Sequence, residues 1–197
     1  MGKKYTLSGT IIETEAYGHT NDPASHAFKR KTNRNKAMFG DVGRTYIYYI
    51  YGNHYCFNIV AKDSSCDAGA ILIRAIQPFE GVNLMKIFRK TNNIRNLASG
   101  PGKLTQAFKI SKRHNEIDIT DNRNDFLYIQ EEEEEEDLYQ KKKRTNKFKV
   151  LETSRIGITN GLDKKWRFVM LKSKENKEEN SGDEVNHNSF ISELVNY

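Results

Sequence analysis

RTYIYYIYGNHYCFNIVAK, residues 44–62, decides the fold, because aromatic and β-branched residues stand on both sides of Gly52-Asn53, a dipeptide suited to a tight turn. The stretch reads as two antiparallel strands joined as a hairpin. Side chains alternate faces along a strand with period two, so Tyr46, Tyr48 and Ile50 share one face while Ile47, Tyr49 and Tyr51 share the other. Tyr51 abuts the turn and can project from the tip. Closely spaced phenols suit base stacking, since a flat ring is a platform for any base; the same spacing equally serves β-propensity and core filling.

Outward from the hairpin, YTLSGTIIETEAY (5–17) reads as a strand or a pair of short strands, and NDPASHAFKRKTNRNK (21–36) as a polar, basic loop. AGAILIRAI (68–76) has the apolar run of a buried strand, and VNLMKIFRKT (82–91) reads as a short helix. SGPGKLTQAFKI (99–110) predicts a second helix, with Ser99 as candidate cap, Pro101 near the first helical position and Leu104, Ala107 and Phe108 at helical spacing. FLYI (126–129), FKVLE (148–152), SRIGI (154–158) and WRFVMLK (166–172) read as further short strands. This mixture predicts one α+β domain over residues 1–172, built on a mostly antiparallel sheet with flanking helices and a protruding hairpin. EEEEEED and KKKR fall in a charged surface insert at 131–146. Residues 173–197 form a polar tail too poor in apolar groups to repay its ordering entropy.

Composition narrows the function. Hydrophobic residues make up 37% of the 197, lean enough that some stretches stand outside the core. No apolar run approaches the roughly 20 residues that span a bilayer, and MGKKYTL leads into polar sequence instead of a signal-peptide core. The expectation is a soluble, intracellular protein. Cys56 and Cys66 are too few for a disulfide framework or a zinc site, so no metal is expected. Residues 1–112 carry 17 lysines and arginines against 7 acids, a surplus of ten within a chain of net charge +6. Such a surplus attracts polyanions, nucleic acid above all, although it also serves solubility.

ETEAYGHTNDPASHAF (13–28), KTNRNKAMFGDVGRTYIYYIYGNHYCFNIV (31–60), AILIRAIQPFEG (70–81) and SGPGKLTQAF (99–108), in this order and spacing, resemble the alkyladenine (3-methyladenine, or methylpurine) DNA glycosylase family. The resemblance covers about residues 7–172, and it implies a curved sheet. Departures are Lys29-Arg30-Lys31 and Asn33, where relatives often carry a glycine-containing segment and a proline, together with the insert and the tail. The implied activity is excision of alkylated or deaminated purines from double-stranded DNA, without a cofactor. It would be monofunctional, leaving an abasic site, and the protein would act as a DNA-associated monomer, in cytoplasm and nucleoid or in a nucleus.

The resemblance also assigns roles. Tyr51 is the wedge that fills the gap left by an extruded nucleotide. Tyr17 and Tyr48 stack on the base, His26 packs against it and bonds its edge, and main-chain groups near Ala24 and His26 read the purine further. Asn58 lies at the pocket floor, where it rejects the exocyclic amino group of guanine. Glu15 activates water and steadies the developing sugar cation, with Arg74 and the Ile156 carbonyl holding the water. Strand parity puts Glu13 on the face of Glu15, so alternation alone does not choose between them. Lys29, Arg30, Lys31, Arg34, Lys36 and Lys103 are the phosphate contacts expected from the basic loop and a helix start. Two other classes stay open: a non-catalytic damaged-DNA binder of the same fold, and a small-molecule nucleoside hydrolase or transferase using the same carboxylate.

Overall fold

The computed structural model describes residues 5–50, 52, 54–121, 123–124, 126–130 and 148–172. Tyr51, the charged insert and the polar tail lie outside these residues. The strands are β1 (Ser8–Tyr17), β2 (Thr45–Ile50), β3 (His54–Val60), β4 (Ala70–Glu80), β5 (Phe148–Thr153) and β6 (Arg167–Lys172). They form one sheet in the order β2-β3-β4-β1-β6-β5, with every neighbouring pair antiparallel. Helices α1 (Val82–Arg89) and α2 (Pro101–Ala107) complete the α+β architecture. Among the described residues no helix is long and apolar enough to cross a membrane.

The hairpin forms as its alternation predicts, with Tyr46 opposite Asn58, Tyr48 opposite Cys56, and pairing that runs to Ile50 opposite His54. Ile47 and Phe57 join Ile73, Met85, Leu97 and Leu104 in the core beneath the helices. Tyr46 faces the other way and packs with Ala27, Met38, Val60 and Ala70, with Tyr17 and Tyr48 against them. One sheet face thus carries the helices, and the other is left for the loops that build the site.

Paired irregularities in β1 and β4 make this division possible. The register runs Ile11–Ile76, Glu13–Ala75, Thr14–Ile73, passing Ile12 on one strand and Arg74 on the other. An extra residue on each strand reverses the alternation locally. Leu7 and Ile11 therefore pack with the helix-side core, whereas Tyr17, of the same parity, packs with the opposite cluster.

Three sequence expectations need correction. The cap of α2 is Gly100 and not Ser99; the Ser99 hydroxyl instead donates to Asn96 Oδ1 at 3.4 Å. FLYI is not a strand, because the Asn124 side chain takes its backbone groups: Oδ1 accepts from Phe126 N at 3.0 Å, and Nδ2 donates to the Leu127 carbonyl at 2.8 Å. SRIGI is not a strand either. Gly157 has a φ of 73°, a left-handed conformation that ends extended structure, and the Ile156 amide is spent on a carboxylate.

His114, buried beside β2, gives the fold a pH response. Its Nδ1 accepts from the Ser111 amide at 2.9 Å. Burial and the charge of Arg113 hold its pKa below the ordinary value, against the opposing effect of the Ser111 bond. The unfolded chain therefore takes up this proton first as pH falls. Stability is expected to be at full value above about pH 6.5 and to decline as pH drops from there toward the lower folded-state value. Thermal unfolding between about pH 8 and 5 should show this decline, and His114→Gln should lessen it, leaving the share of His26, whose pKa burial also lowers.

Candidate active site

The site begins where β1 ends. Glu15 is fully buried and collects three hydrogen bonds from three parts of the chain: Ile156 N donates to Oε1 at 2.7 Å, Tyr17 Oη to Oε2 at 2.8 Å, and Arg74 Nη1 to Oε2 at 3.1 Å. A carboxylate accepts about four hydrogen bonds, so capacity for one more remains beside these three. Burial and the neighbouring Glu15 charge push the Tyr17 phenol pKa far up, which keeps it a proton donor to that carboxylate. Burial disfavours the Arg74 cation, but Glu15 and Glu13 outweigh it and raise its pKa.

Above Tyr17 opens a cavity of about 350 Å³, whose lining includes Tyr17, Ala24, His26, Tyr46, Tyr48 and Asn58. Its dimensions and aromatic walls suit a flat heterocycle. The rings of Tyr46 and Tyr48 lie 5.2 Å apart, and His26 meets Tyr48 edge-on at 4.6 Å. His26 Nδ1 lies 3.0 Å from Tyr46 Oη, and Asn58 Nδ2 donates to the Tyr46 carbonyl at 2.9 Å. Burial pushes the Tyr46 phenol up to about 12 and Tyr48 well beyond that, with Cys56 adding to the latter shift. Desolvation and the Arg34 charge hold the His26 imidazole below its ordinary value, so this ring is neutral near pH 7.

Loops and not strands close the cavity, and two buried polar residues shape them. Asn35 donates to the main-chain carbonyls of His26 (2.6 Å) and Arg30 (3.0 Å), and its Oδ1 accepts from Thr32 N (2.6 Å), which folds the basic loop back on itself. Asp22 accepts from the amides of Gly18 (2.9 Å) and Ala24 (3.3 Å) and from both terminal nitrogens of Arg155, each at 2.7 Å. Burial opposes the Asp22 charge, but the Arg155 and Gly18 bonds outweigh it and lower its pKa. Arg155 also donates to the Ala16 carbonyl at 2.9 Å and stacks 4.7 Å behind the Tyr17 ring. One buried pair thus joins the 18–26 loop to the segment that delivers Ile156, Gly157 and Ile158.

Of the residues named from sequence, the structure brings Glu15, Arg74, Tyr17, Ala24, His26, Tyr48 and Asn58 close together. The contact seen for Ile156 is its amide on Glu15. Arg34, taken from sequence as a phosphate ligand, lines the cavity, 5.9 Å over the Tyr48 ring. Lys103 donates to Asn96 and Ser99, and Lys31 lies over Phe39; Lys29, Arg30 and Lys36 are exposed. Sequence reasoning missed Tyr46, Asp22, Arg155 and Arg167, whose partners are distant in the chain. Among the described residues no group of His, Cys, Asp and Glu is arranged to hold a metal.

Known proteins resemble this chain in sequence. The family model described as Methylpurine-DNA glycosylase (MPG) matches residues 1–174. A protein from Carboxydothermus hydrogenoformans, provisionally named a 3-methyladenine DNA glycosylase, is 41% identical over 170 residues, which are 86% of this chain and 82% of the relative. Proteins given the same provisional name are 39% identical over 164 residues in Francisella tularensis (83% and 79% of the two chains) and 41% identical over 166 in Prosthecochloris aestuarii (84% and 73%). Since the matched residues contain β1, the hairpin, the arginine of β4 and both loops that close the cavity, the chain belongs to the methylpurine-DNA glycosylase family.

Proposed function

We propose that this chain extrudes an alkylated or deaminated purine from duplex DNA and hydrolyses the bond between base and deoxyribose, leaving an abasic site. The observation that carries the reading is the joint between cavity and carboxylate: Tyr17, one wall of the aromatic cavity, donates directly to buried Glu15 at 2.8 Å. A base held against that wall brings its glycosidic bond toward the one carboxylate that Arg74 and Ile156 already orient.

The extruded base stacks between Tyr17 and the Tyr48–His26 side, while Tyr51 fills the vacated position in the duplex. Electron-poor alkylated rings gain from the phenol faces. Neutral His26 adds no repulsion toward a cationic base, and Asn58 at the floor rejects the amino group of guanine. Water admitted at the free capacity of Glu15, held by Arg74 and the Ile156 carbonyl, gives its proton to the carboxylate as it attacks the anomeric carbon. Before that transfer, while Glu15 is still charged, the carboxylate steadies the developing oxocarbenium-like sugar. Purines alkylated at N3 or N7 leave without strong acid assistance, and no amine nucleophile takes part. Exposed Lys29, Arg30 and Lys36, with Lys31 and Lys103, supply salt-sensitive phosphate contacts.

The test is incubation with duplexes carrying a single 7-methylguanine or hypoxanthine, followed by alkaline scission of abasic sites. Scission at the lesion, with no adduct trapped by borohydride, is the expected result. Tight lesion binding without scission would favour a non-catalytic binder, and equal turnover of free nucleosides would favour a nucleoside hydrolase.

A further inference from the structure

Glu13 is a buried acid beside Glu15 that this chemistry leaves unused. It is 2% exposed and stands between two arginines from different strands. Arg74 Nε on β4 donates to its Oε1 at 2.9 Å, and Arg167 Nε on β6 donates to the same oxygen at 2.5 Å. Arg74 then reaches Glu15 Oε2 through Nη1 at 3.1 Å. A single guanidinium is therefore shared by two carboxylates two residues apart on β1, and Glu13 fixes its Nε edge while Glu15 takes its Nη1. The strand irregularity makes this reach possible: Arg74 is the β4 residue that the register passes over, and a bulged residue is free to be re-aimed.

Charge gives the arrangement a second consequence. Glu15 is faced by Tyr17 and Glu13 on its own strand, by Arg74 on β4, by Cys56 on β3, by Arg155 in the closing segment, and by Arg167 of β6 through Glu13. Burial keeps Tyr17 and Cys56 neutral, and the Arg155 charge is met by Asp22. Glu13 bonds both Arg74 and Arg167, so its charge offsets theirs beside Glu15. Charges act on one another more strongly in the interior than in water, so removing this acid leaves Glu15 facing one negative charge fewer.

We infer that Glu13 is a positioning residue of the Glu15 site, aiming Arg74 and offsetting the two arginines so that Glu15 stays a competent proton acceptor. The inference rests on the reading of Glu15 as general base. A purely structural ion pair would share the geometry and would alter stability, but it would not tune the pH at which the base works.

The experiment is single-turnover base release from a duplex carrying 7-methylguanine, whose base leaves without added protonation, followed from about pH 4.5 to 8. Glu13→Gln should move the acid limb to lower pH by about one unit and lower the plateau roughly tenfold, because the loss of a neighbouring negative charge makes Glu15 a weaker acceptor. Arg167→Met should move the limb the opposite way, and the double variant should return it close to that of the parent protein. Opposed shifts are beyond a role in stability alone, and if Glu13→Gln fails to fold, the upward shift in Arg167→Met decides the matter. Unmoved limbs in both single variants, with only thermal stability lowered, would overturn the inference. Glu15→Gln is the control: an acid limb that survives it undoes the general-base reading itself, whereas a limb lost there but unmoved in Glu13→Gln undoes only the role of Glu13.

Discussion

Glu15→Gln protein is expected to bind lesion-bearing duplex yet release the base about 10²- to 10⁴-fold more slowly, the range that a general base contributes. The amide cannot accept a proton from water and carries no charge to meet the sugar cation. It also disturbs the site locally. Ile156 N–H points at one carboxylate oxygen, while Tyr17 Oη and Arg74 Nη1 point at the other. A glutamine can offer its oxygen to one side only, and its NH₂ must then face donors. The measurement is single-turnover release beside lesion binding. Release at the parental rate would refute the mechanism, and loss of binding together with release would show that the amide had opened the pocket.

The second large effect is on stability. Asp22→Ala should cost about 3–5 kcal/mol, because it strands the Arg155 guanidinium, whose side chain is fully buried, without its charge partner. For a chain of this length that loss lowers the melting temperature by on the order of 10 °C. Arg155 Nε already has no hydrogen-bond partner among the described residues, so the remaining bonds to Ala16 and Gly161 would have to hold the cation. Asp22→Leu combined with Arg155→Met should cost less than Asp22→Ala alone, since two apolar groups leave no charge to desolvate. Thermal denaturation of the three proteins gives the answer. A loss below about 1 kcal/mol in Asp22→Ala would mean that water reaches Arg155 once the carboxylate is gone.

The two predictions concern one geometry seen from opposite ends. Arg155 precedes Ile156, whose amide orients Glu15, and the same guanidinium backs the Tyr17 ring. Damage to the Asp22–Arg155 pair should therefore reach catalysis through the 18–26 loop and the 155–158 segment, even though neither residue lines the cavity.

Much of this protein was legible in the chain because the signals are local. Period-two alternation around Gly52-Asn53 specified the hairpin and put Tyr46 and Tyr48 on one face, and helical spacing specified α1 and α2. The resemblance carried by ETEAY and its companions picked Glu15 over Glu13, which parity could not do. Local pattern failed where a distant partner outbid it. FLYI and SRIGI have strand composition, yet Asn124 takes the backbone groups of one and Glu15 the amide of the other.

The sequence by itself determined the α+β class, the two-faced hairpin and the basic character of residues 1–112, since each follows from periodicity or composition, and the family resemblance of its motifs named five residues that line the cavity. Only the tertiary structure decided how the polar groups are spent. Asp22 meets Arg155 across 133 residues and Glu13 meets Arg167 across 154, while paired irregularities in β1 and β4 turn Arg74 toward two acids at once. Buried charges must find partners wherever the fold places them, and no local spacing rule says which.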